Sequence, residues 1–123
     1  MCGINGFNFQ DEKLIKRMMQ FTKNRGPDYS DYISTEDITL GHDRLSILDL
    51  NKRSNQPFKF NQFTLSFNGE IYNYIDLKKE LVQSGYKFET TSDTEVIIYL
   101  FDKYGVDSFK KLSGIFAISL WDE

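Results

Sequence analysis

The sequence predicts a layered α/β arrangement. Three observations carry this: amphipathic helical stretches, several strand-like stretches between them, and strands with apolar residues on both faces. Residues 4–9 read as the first strand, with Ile4, Gly6 and Asn8 on one face and Asn5, Phe7 and Phe9 on the other. Asp11 and Glu12 open a helix whose Leu14, Ile15, Met18 and Met19 form one apolar stripe. Its early acids, with Lys16 and Arg17 further on, suit the helix dipole. Asn24-Arg25-Gly26-Pro27-Asp28 ends it, since permissive glycine, fixed proline and a backbone-bonding aspartate make a loop. Short strands follow near residues 32–34 and 38–42. Next comes an apolar stretch over residues 44–49, with one buried arginine, and then a polar loop over residues 51–55. Phe63, Leu65 and Phe67 alternate with Thr64 and Ser66, a strand that ends at the turn pair Asn68-Gly69.

Asn73 is the predicted N-cap of a helix over residues 74–84, with Leu77, Leu81 and Val82 inward and Gly85 just past its end. Residues 86–88 read as a short strand. Ser92-Asp93-Thr94-Glu95 has the form of a capping box, in which Ser92 bonds the Glu95 amide and Glu95 reaches back. That helix runs through Val96, Ile97, Leu100, Phe101 and Tyr104 and stops at Gly105. A helical turn near residues 107–111 leads to a last strand over residues 114–121. Apolar on both faces, it is expected to be covered on both. The chain stops directly after it, at Trp121-Asp122-Glu123, which predicts a truncated fragment of a larger protein.

Composition narrows the function classes. The 123 residues suit one domain, and 40% hydrophobic with 15% aromatic content marks a folding chain. Fifteen basic and 18 acidic residues are mixed along the chain, so nucleic acid has no electrostatic footprint to bind. No apolar run approaches the ~20 residues of a membrane span, and no signal peptide is visible. A single cysteine forms no internal disulfide, and no Cys/His cluster suggests zinc. These features predict a cytoplasmic chain without nucleic-acid or membrane partners.

That cysteine is residue 2. Met1 precedes a small side chain, the context in which initiator methionine is removed, and removal leaves Cys2 carrying both a thiol and a free α-amine. A nucleophile then sits beside its own candidate base. His42, the one histidine, lies at a strand end and reads as structural. Asn68 and Gly69 can supply an oxyanion hole through a side-chain amide and a backbone N–H, or can be a plain turn. Arg44, flanked by Leu45 and Ile47, can clamp a carboxylate or form a structural ion pair. Asp93 at the helix start can pair with an ammonium group or simply complement the dipole. Arg44 and Asp93 together fit the zwitterionic end of a free amino acid, and Glu70 adds an acceptor beside the Asn-Gly pair.

Six collinear motifs carry a family likeness: Met1-Cys2-Gly3-Ile4, Arg25-Gly26-Pro27-Asp28, residues 41–47 (Gly-His-Asp-Arg-Leu-Ser-Ile), residues 67–74 (Phe-Asn-Gly-Glu-Ile-Tyr-Asn-Tyr), Ser92-Asp93-Thr94-Glu95 and Gly114-Ile115-Phe116-Ala117. Together they resemble the class II (N-terminal nucleophile) glutamine amidotransferase domain across essentially the whole chain. Three of them are worded as in the glutamine-hydrolysing asparagine synthetases. The resemblance implies an α+β fold, a four-layer αββα sandwich over residues 1–123, incomplete at its C-terminus. It implies hydrolysis of L-glutamine to glutamate and ammonia through a thioester on Cys2, with Asn68 and Gly69 as the oxyanion hole. It assigns the substrate's α-carboxylate and α-amino group to Arg44 and Asp93, and pocket-lining roles to Leu48, through its backbone, and Glu70. In such families ammonia passes through a tunnel to a C-terminal synthetase domain that adenylates aspartate. ATP and magnesium belong to that domain, whose Ser-Gly-Gly-x-Asp-Ser loop is not in these residues; the chain itself is expected to bind no cofactor and no metal. A homodimer is compatible with the likeness. One departure is Asn24, where the family has histidine before Arg-Gly-Pro-Asp. Two other readings stay open: an amidotransferase of this fold serving another acceptor, such as a sugar or a modified amino acid, and a non-catalytic domain for amino-acid binding or assembly.

Overall fold

A computed structural model describes residues 1–123. Two three-stranded antiparallel sheets stack face to face, each with helix on its outer side. The first sheet joins β1 (Gly3–Phe7), β2 (Tyr29–Ser34) and β3 (Thr39–Arg44) in the order β1-β3-β2. The second joins β4 (Phe58–Phe60), β5 (Phe63–Ile71) and β6 (Gly114–Asp122) in the order β4-β5-β6. Helix α1 (Glu12–Thr22) covers the first sheet, and α2 (Tyr74–Gln83) with α3 (Asp93–Tyr104) covers the second. The expected α+β sandwich of four layers, α/β/β/α, is what forms. No helix is long and apolar enough to cross a membrane.

The layers follow from side-chain alternation. Helix α1 begins where the Asp11 carboxylate accepts the Leu14 N–H at 2.8 Å. It buries Ile15 and Met19 against Gly41 of β3. A Cβ at Gly41 would stand 2.7 Å from the Met19 sulfur, so the missing side chain lets the helix settle on the sheet. On β5, Phe63, Leu65 and Phe67 enter one apolar cluster with Leu77 and Leu81 of α2 and Val96, Ile97 and Leu100 of α3. The intervening Thr64 and Ser66 are buried too. They face the first sheet, where the Ser66 hydroxyl donates to the Gly41 carbonyl at 3.4 Å.

His42 of β3 also crosses between the sheets. Its Nε2 lies 3.0 Å from the Phe67 carbonyl. A carbonyl only accepts, so Nε2 carries the proton. The ring is fully buried, Nδ1 has no partner, and burial pushes the imidazole pKa down to about 4. The histidine is structural as expected, although it lies within β3 and not at a strand end, because β3 continues to Arg44.

Several local expectations are corrected. Strand β5 does not end at Asn68-Gly69. It continues to Ile71, with Asn68 opposite Ala117 and Gly69 opposite Phe116. Gly69 has φ +150°, and a Cβ there would lie 2.2 Å from the Ile115 carbonyl oxygen, so the glycine serves the close approach of β6 and not a turn. Residues 86–88 form no strand. Tyr86 and Phe88 instead pack on Tyr99, and the Tyr86 N–H returns to the Leu81 carbonyl. That bond, with Gly85 N–H to Val82, closes α2 as a Schellman motif at the expected place. Val82 points outward, 53% exposed.

Asn73 precedes α2 but does not cap it. Its amide accepts from the Ser113 N–H and donates to the Lys111 carbonyl, which ties α2 to the entry of β6. Ser92 does cap α3, on the Thr94 N–H at 3.1 Å. Glu95 does not reach back to Ser92; it accepts the N–H groups of Glu89 and Thr90 and the hydroxyls of Thr90 and Tyr99. Finally, β6 is an edge strand and is not covered on both faces: Ile115 is 65% and Phe116 39% exposed.

The neutral His42 generates a pH prediction. Its folded pKa lies below the unfolded value of ~6.5, so its stabilising contribution is whole above that value and is lost as the pH falls towards about 4. Urea unfolding of the wild type should lose on the order of 3 kcal/mol more than His42→Gln between pH 7 and pH 4. Equal losses in the two proteins would show that the imidazole is not held neutral.

Candidate active site

The pairing of β1 with β3 sets Gly3 opposite Asp43, which brings Cys2 beside Arg44 and Leu45. The Leu45 N–H donates to Cys2 Sγ at 3.3 Å, and the thiol points back at the Leu45 carbonyl at 3.7 Å. The Arg25-Gly26-Pro27-Asp28 loop holds both segments. Arg25 Nε–H donates to the Cys2 carbonyl at 3.2 Å, and the Asp28 carboxylate accepts the Ser46 N–H at 2.7 Å. The Asp28 N–H in turn donates to the Arg44 carbonyl at 3.0 Å. The half-buried thiol therefore sits at a fixed place, next to the exposed Met1 side chain.

Beside the thiol opens a cavity of about 190 Å³. Cys2, Arg44, Leu48, Gly69, Glu70 and Asp93 all line it, although they come from five separate segments. Six of the seven residues singled out in the sequence thus meet at one place. Asn68 is the seventh, and it is not part of the lining; its Oδ1 is enclosed without a hydrogen-bond partner.

Arg44 ends β3 and is buried. Its fork is not free. Nη1 donates to the Asn51 carbonyl at 3.0 Å and to Asn55 Oδ1 at 2.7 Å; Nη2 donates to the carbonyls of Leu48, at 3.3 Å, and Asp49. Four of its five N–H groups therefore organise the loop over residues 48–55. No carboxylate lies within ion-pairing distance of it. It is a buried cation on the wall of a cavity, without a direct ion-pair partner. Asp49 fastens the same loop to the start of α3 by accepting the Thr91 N–H at 2.8 Å and the Asn51 N–H at 3.1 Å. Burial alone would raise its carboxyl, but the N–H groups of Thr91 and Asn51 outweigh that and hold it well below the usual carboxylate range.

Asp93 is the first residue of α3, and its Oδ2 accepts the Ile71 N–H at 3.0 Å. Burial pushes its carboxyl up and the neighbouring Glu70 charge adds to this, against backbone N–H groups that favour the ionised form. On β5, Phe67 turns its N–H and C=O away from β6, towards Gln56 and His42. Strand alternation gives Gly69 the same direction. Since β4 ends at Phe58, Gly69 meets no ladder partner there, and its backbone lies on the cavity wall.

Sequence reasoning missed Leu45, Asp49 and Gln56. Leu45 and Asp49 act through backbone and loop geometry, which no spacing rule records. Gln56 stands in a stretch adjoining the polar loop and carries no motif of its own.

Residues 1–123 match the family described as the glutamine amidotransferase domain. The glutamine-hydrolyzing asparagine synthetase 1 of Bacillus subtilis (strain 168) is 41% identical over 100% of this chain and 21% of its own length. Asparagine synthetase B of Escherichia coli (strain K12) is 38% identical over 99% of the chain and 23% of its own length. The chain therefore spans about a fifth of the curated relatives it matches. Among solved structures, the glutamine phosphoribosylpyrophosphate amidotransferase of B. subtilis, complexed with ADP and GMP, superposes on 72% of this chain and 22% of that one, with a TM-score of 0.61 and 26% identity.

Asp49 offers a test of how the cavity wall is held. Asp49→Ala leaves the N–H groups of Thr91 and Asn51 without their acceptor and should lower unfolding free energy by about 1–3 kcal/mol. Urea denaturation measures this; an unchanged midpoint would mean that the loop is held by Arg44 alone.

Proposed function

Because the chain belongs to the glutamine amidotransferase domain family, we propose that it hydrolyses the side-chain amide of L-glutamine, with Cys2 as nucleophile once Met1 is removed. The observation that carries this reading is the meeting of the thiol, the backbone of Gly69, the Arg44 cation without an ion-pair partner and the Asp93 carboxylate around one small cavity. The α-amine of Cys2 takes the thiol proton, and the sulfur attacks the amide carbon. The oxyanion accepts a hydrogen bond from the Gly69 N–H and, once the Asn68 side chain turns its amide into the cavity, a second from Asn68. Collapse breaks the C–N bond, and the ammonium proton goes to the leaving ammonia. Water, deprotonated by the same amine, then cleaves the thioester to release glutamate.

Asp93 pairs with the substrate's α-ammonium group, and Glu70 adds an acceptor at the rim. Arg44 attracts the α-carboxylate. Because its fork already serves loop carbonyls, the carboxylate has either to displace some of these acceptors or to take the remaining Nε–H. Leu48 contributes through its backbone. We further propose that the ammonia serves ATP-dependent synthesis of asparagine from aspartate in a longer protein that includes a synthetase domain. This is supported by the wording of three motifs and by the names of the relatives.

Three outcomes test the reading. Intact mass should show Met1 absent, and Cys2→Ala should abolish release of glutamate from glutamine; a Cys2→Ala protein that still hydrolysed glutamine would sink it. Asn68→Ala should lower kcat by roughly 10²–10³, by analogy with the loss of one oxyanion donor, and an unchanged kcat would remove Asn68 from the mechanism. Protonation of Asp93 deletes the partner of the ammonium group, so KM for glutamine should climb as the pH falls, starting above the ordinary aspartate range because burial has raised this carboxyl. In Asp93→Asn, KM should be high and flat with pH.

A further inference from the structure

Phe67 is held in an unusual way. In an antiparallel ladder its N–H and C=O would bond a strand neighbour. The register of β4 on β5 sets Phe58 opposite Leu65, so the position opposite Phe67 is Gln56. The strand β4 stops at Phe58, and the main chain of Gln56 does not continue the ladder. Its side chain does so instead: Gln56 Oε1 accepts the Phe67 N–H at 2.6 Å. At its other end, Gln56 Nε2 donates to Thr94 Oγ1 at 3.3 Å. From the opposite sheet, His42 takes the Phe67 carbonyl. Gln56 is only 6% exposed and forms part of the cavity wall.

Phe67 directly precedes Asn68, and Thr94 directly follows Asp93. We propose that Gln56 is a positioning residue for glutamine hydrolysis, a strut whose side-chain amide spans from the Phe67 N–H to the Thr94 hydroxyl and sets the oxyanion site at the proper distance from the carboxylate that receives the substrate's α-ammonium group. This rests on the reaction proposed above. A glutamine substrate has its reacting carbon and its α-ammonium group at opposite ends. Both ends are served correctly only if β5 and the start of α3 keep their spacing. Among side chains of this length, only an amide both accepts from an N–H and donates to a hydroxyl without carrying charge into a buried place. Glutamine at position 56 is therefore a chemical requirement of the strut, and its loss is felt in alignment more than in binding.

The test uses the Met1-processed protein and three readouts: steady-state glutaminase kinetics, the rate of Cys2 alkylation by iodoacetamide, and the thermal midpoint. Alkylation reports that the thiol is present and reachable but needs no oxyanion hole. Gln56→Met keeps the volume and removes both bonds. It should lower kcat by about 10- to 100-fold, the scale expected of misalignment near 1 Å, with KM and alkylation rate within about threefold of wild type. Gln56→Glu keeps an acceptor for the Phe67 N–H but loses the donor to Thr94 and buries a charge, so its kcat should stay well below wild type. Thr94→Val cuts the strut at its other end and should also lower kcat, which keeps the inference testable if Gln56→Met does not fold. Unchanged kcat in Gln56→Met or in Thr94→Val overturns the strut. So does a kcat that falls only in step with alkylation and thermal midpoint, the mark of a general packing role. A wild type that does not hydrolyse glutamine, or a Cys2→Ala variant that does, overturns the underlying reaction instead, and the strut falls with it.

Discussion

A strand that outruns its neighbour has to satisfy its N–H and C=O groups elsewhere, and most of this protein is arranged around how β5 does so. From Phe63 to Leu65 the main chain of β4 serves it. Beyond that point a glutamine from the chain preceding β4 and a histidine from the other sheet take over at Phe67. Unpaired buried backbone groups are costly, so these two side chains are constrained in place as firmly as a ladder would be. The same strand carries the aromatic face that seats α2 and α3 and the Thr64/Ser66 face that lies against the first sheet. Past Phe67 no strand pairs on that side: the Asp93 carboxylate takes the Ile71 N–H, and between the two the backbone of Gly69 reaches the cavity. The site lies where regular pairing stops.

The other wall is built by a buried cation. Arg44 gathers the carbonyls of Leu48, Asp49 and Asn51 around itself, and Asp49 fastens that loop to Thr91 just ahead of α3. No carboxylate pairs directly with the guanidinium, which is served by the loop carbonyls and by the Asn55 side-chain amide. The thiol is tied to the same end of β3 by the Leu45 N–H, and the loop that starts at Arg25 holds both segments.

Much of this was legible beforehand. The alternation of Phe63, Leu65 and Phe67, the stripe of Ile15 and Met19, and the glycines after α2 and α3 placed the elements, because period and chain termination are local properties. Cys2, Arg44, Gly69 and Asp93 could be singled out because their residue types are unusual at those positions, and the structure brings all four to one cavity. The misreadings share a cause. Asn68-Gly69 has the form of a turn pair, but β6 arrives from more than forty residues away and keeps the strand extended. Residues 86–88 have strand composition, but Tyr86 and Phe88 pack on Tyr99 of α3 instead of joining a ladder. Glu95 has the spacing of a capping box but finds nearer donors in Glu89 and Thr90.

The sequence by itself determined the helices, the alternation of β5, the family to which the chain belongs and the residue types capable of the chemistry. Each of these depends on neighbours within a few positions or on motif wording. Only the tertiary structure decided that Arg44 already holds a loop, that Asn68 lies off the cavity wall, that β6 is an exposed edge, and that Gln56 spans two walls of the site. Those depend on where carbonyls and N–H groups from distant segments converge, and a backbone group is the same at every position of a sequence until folding gives it a direction.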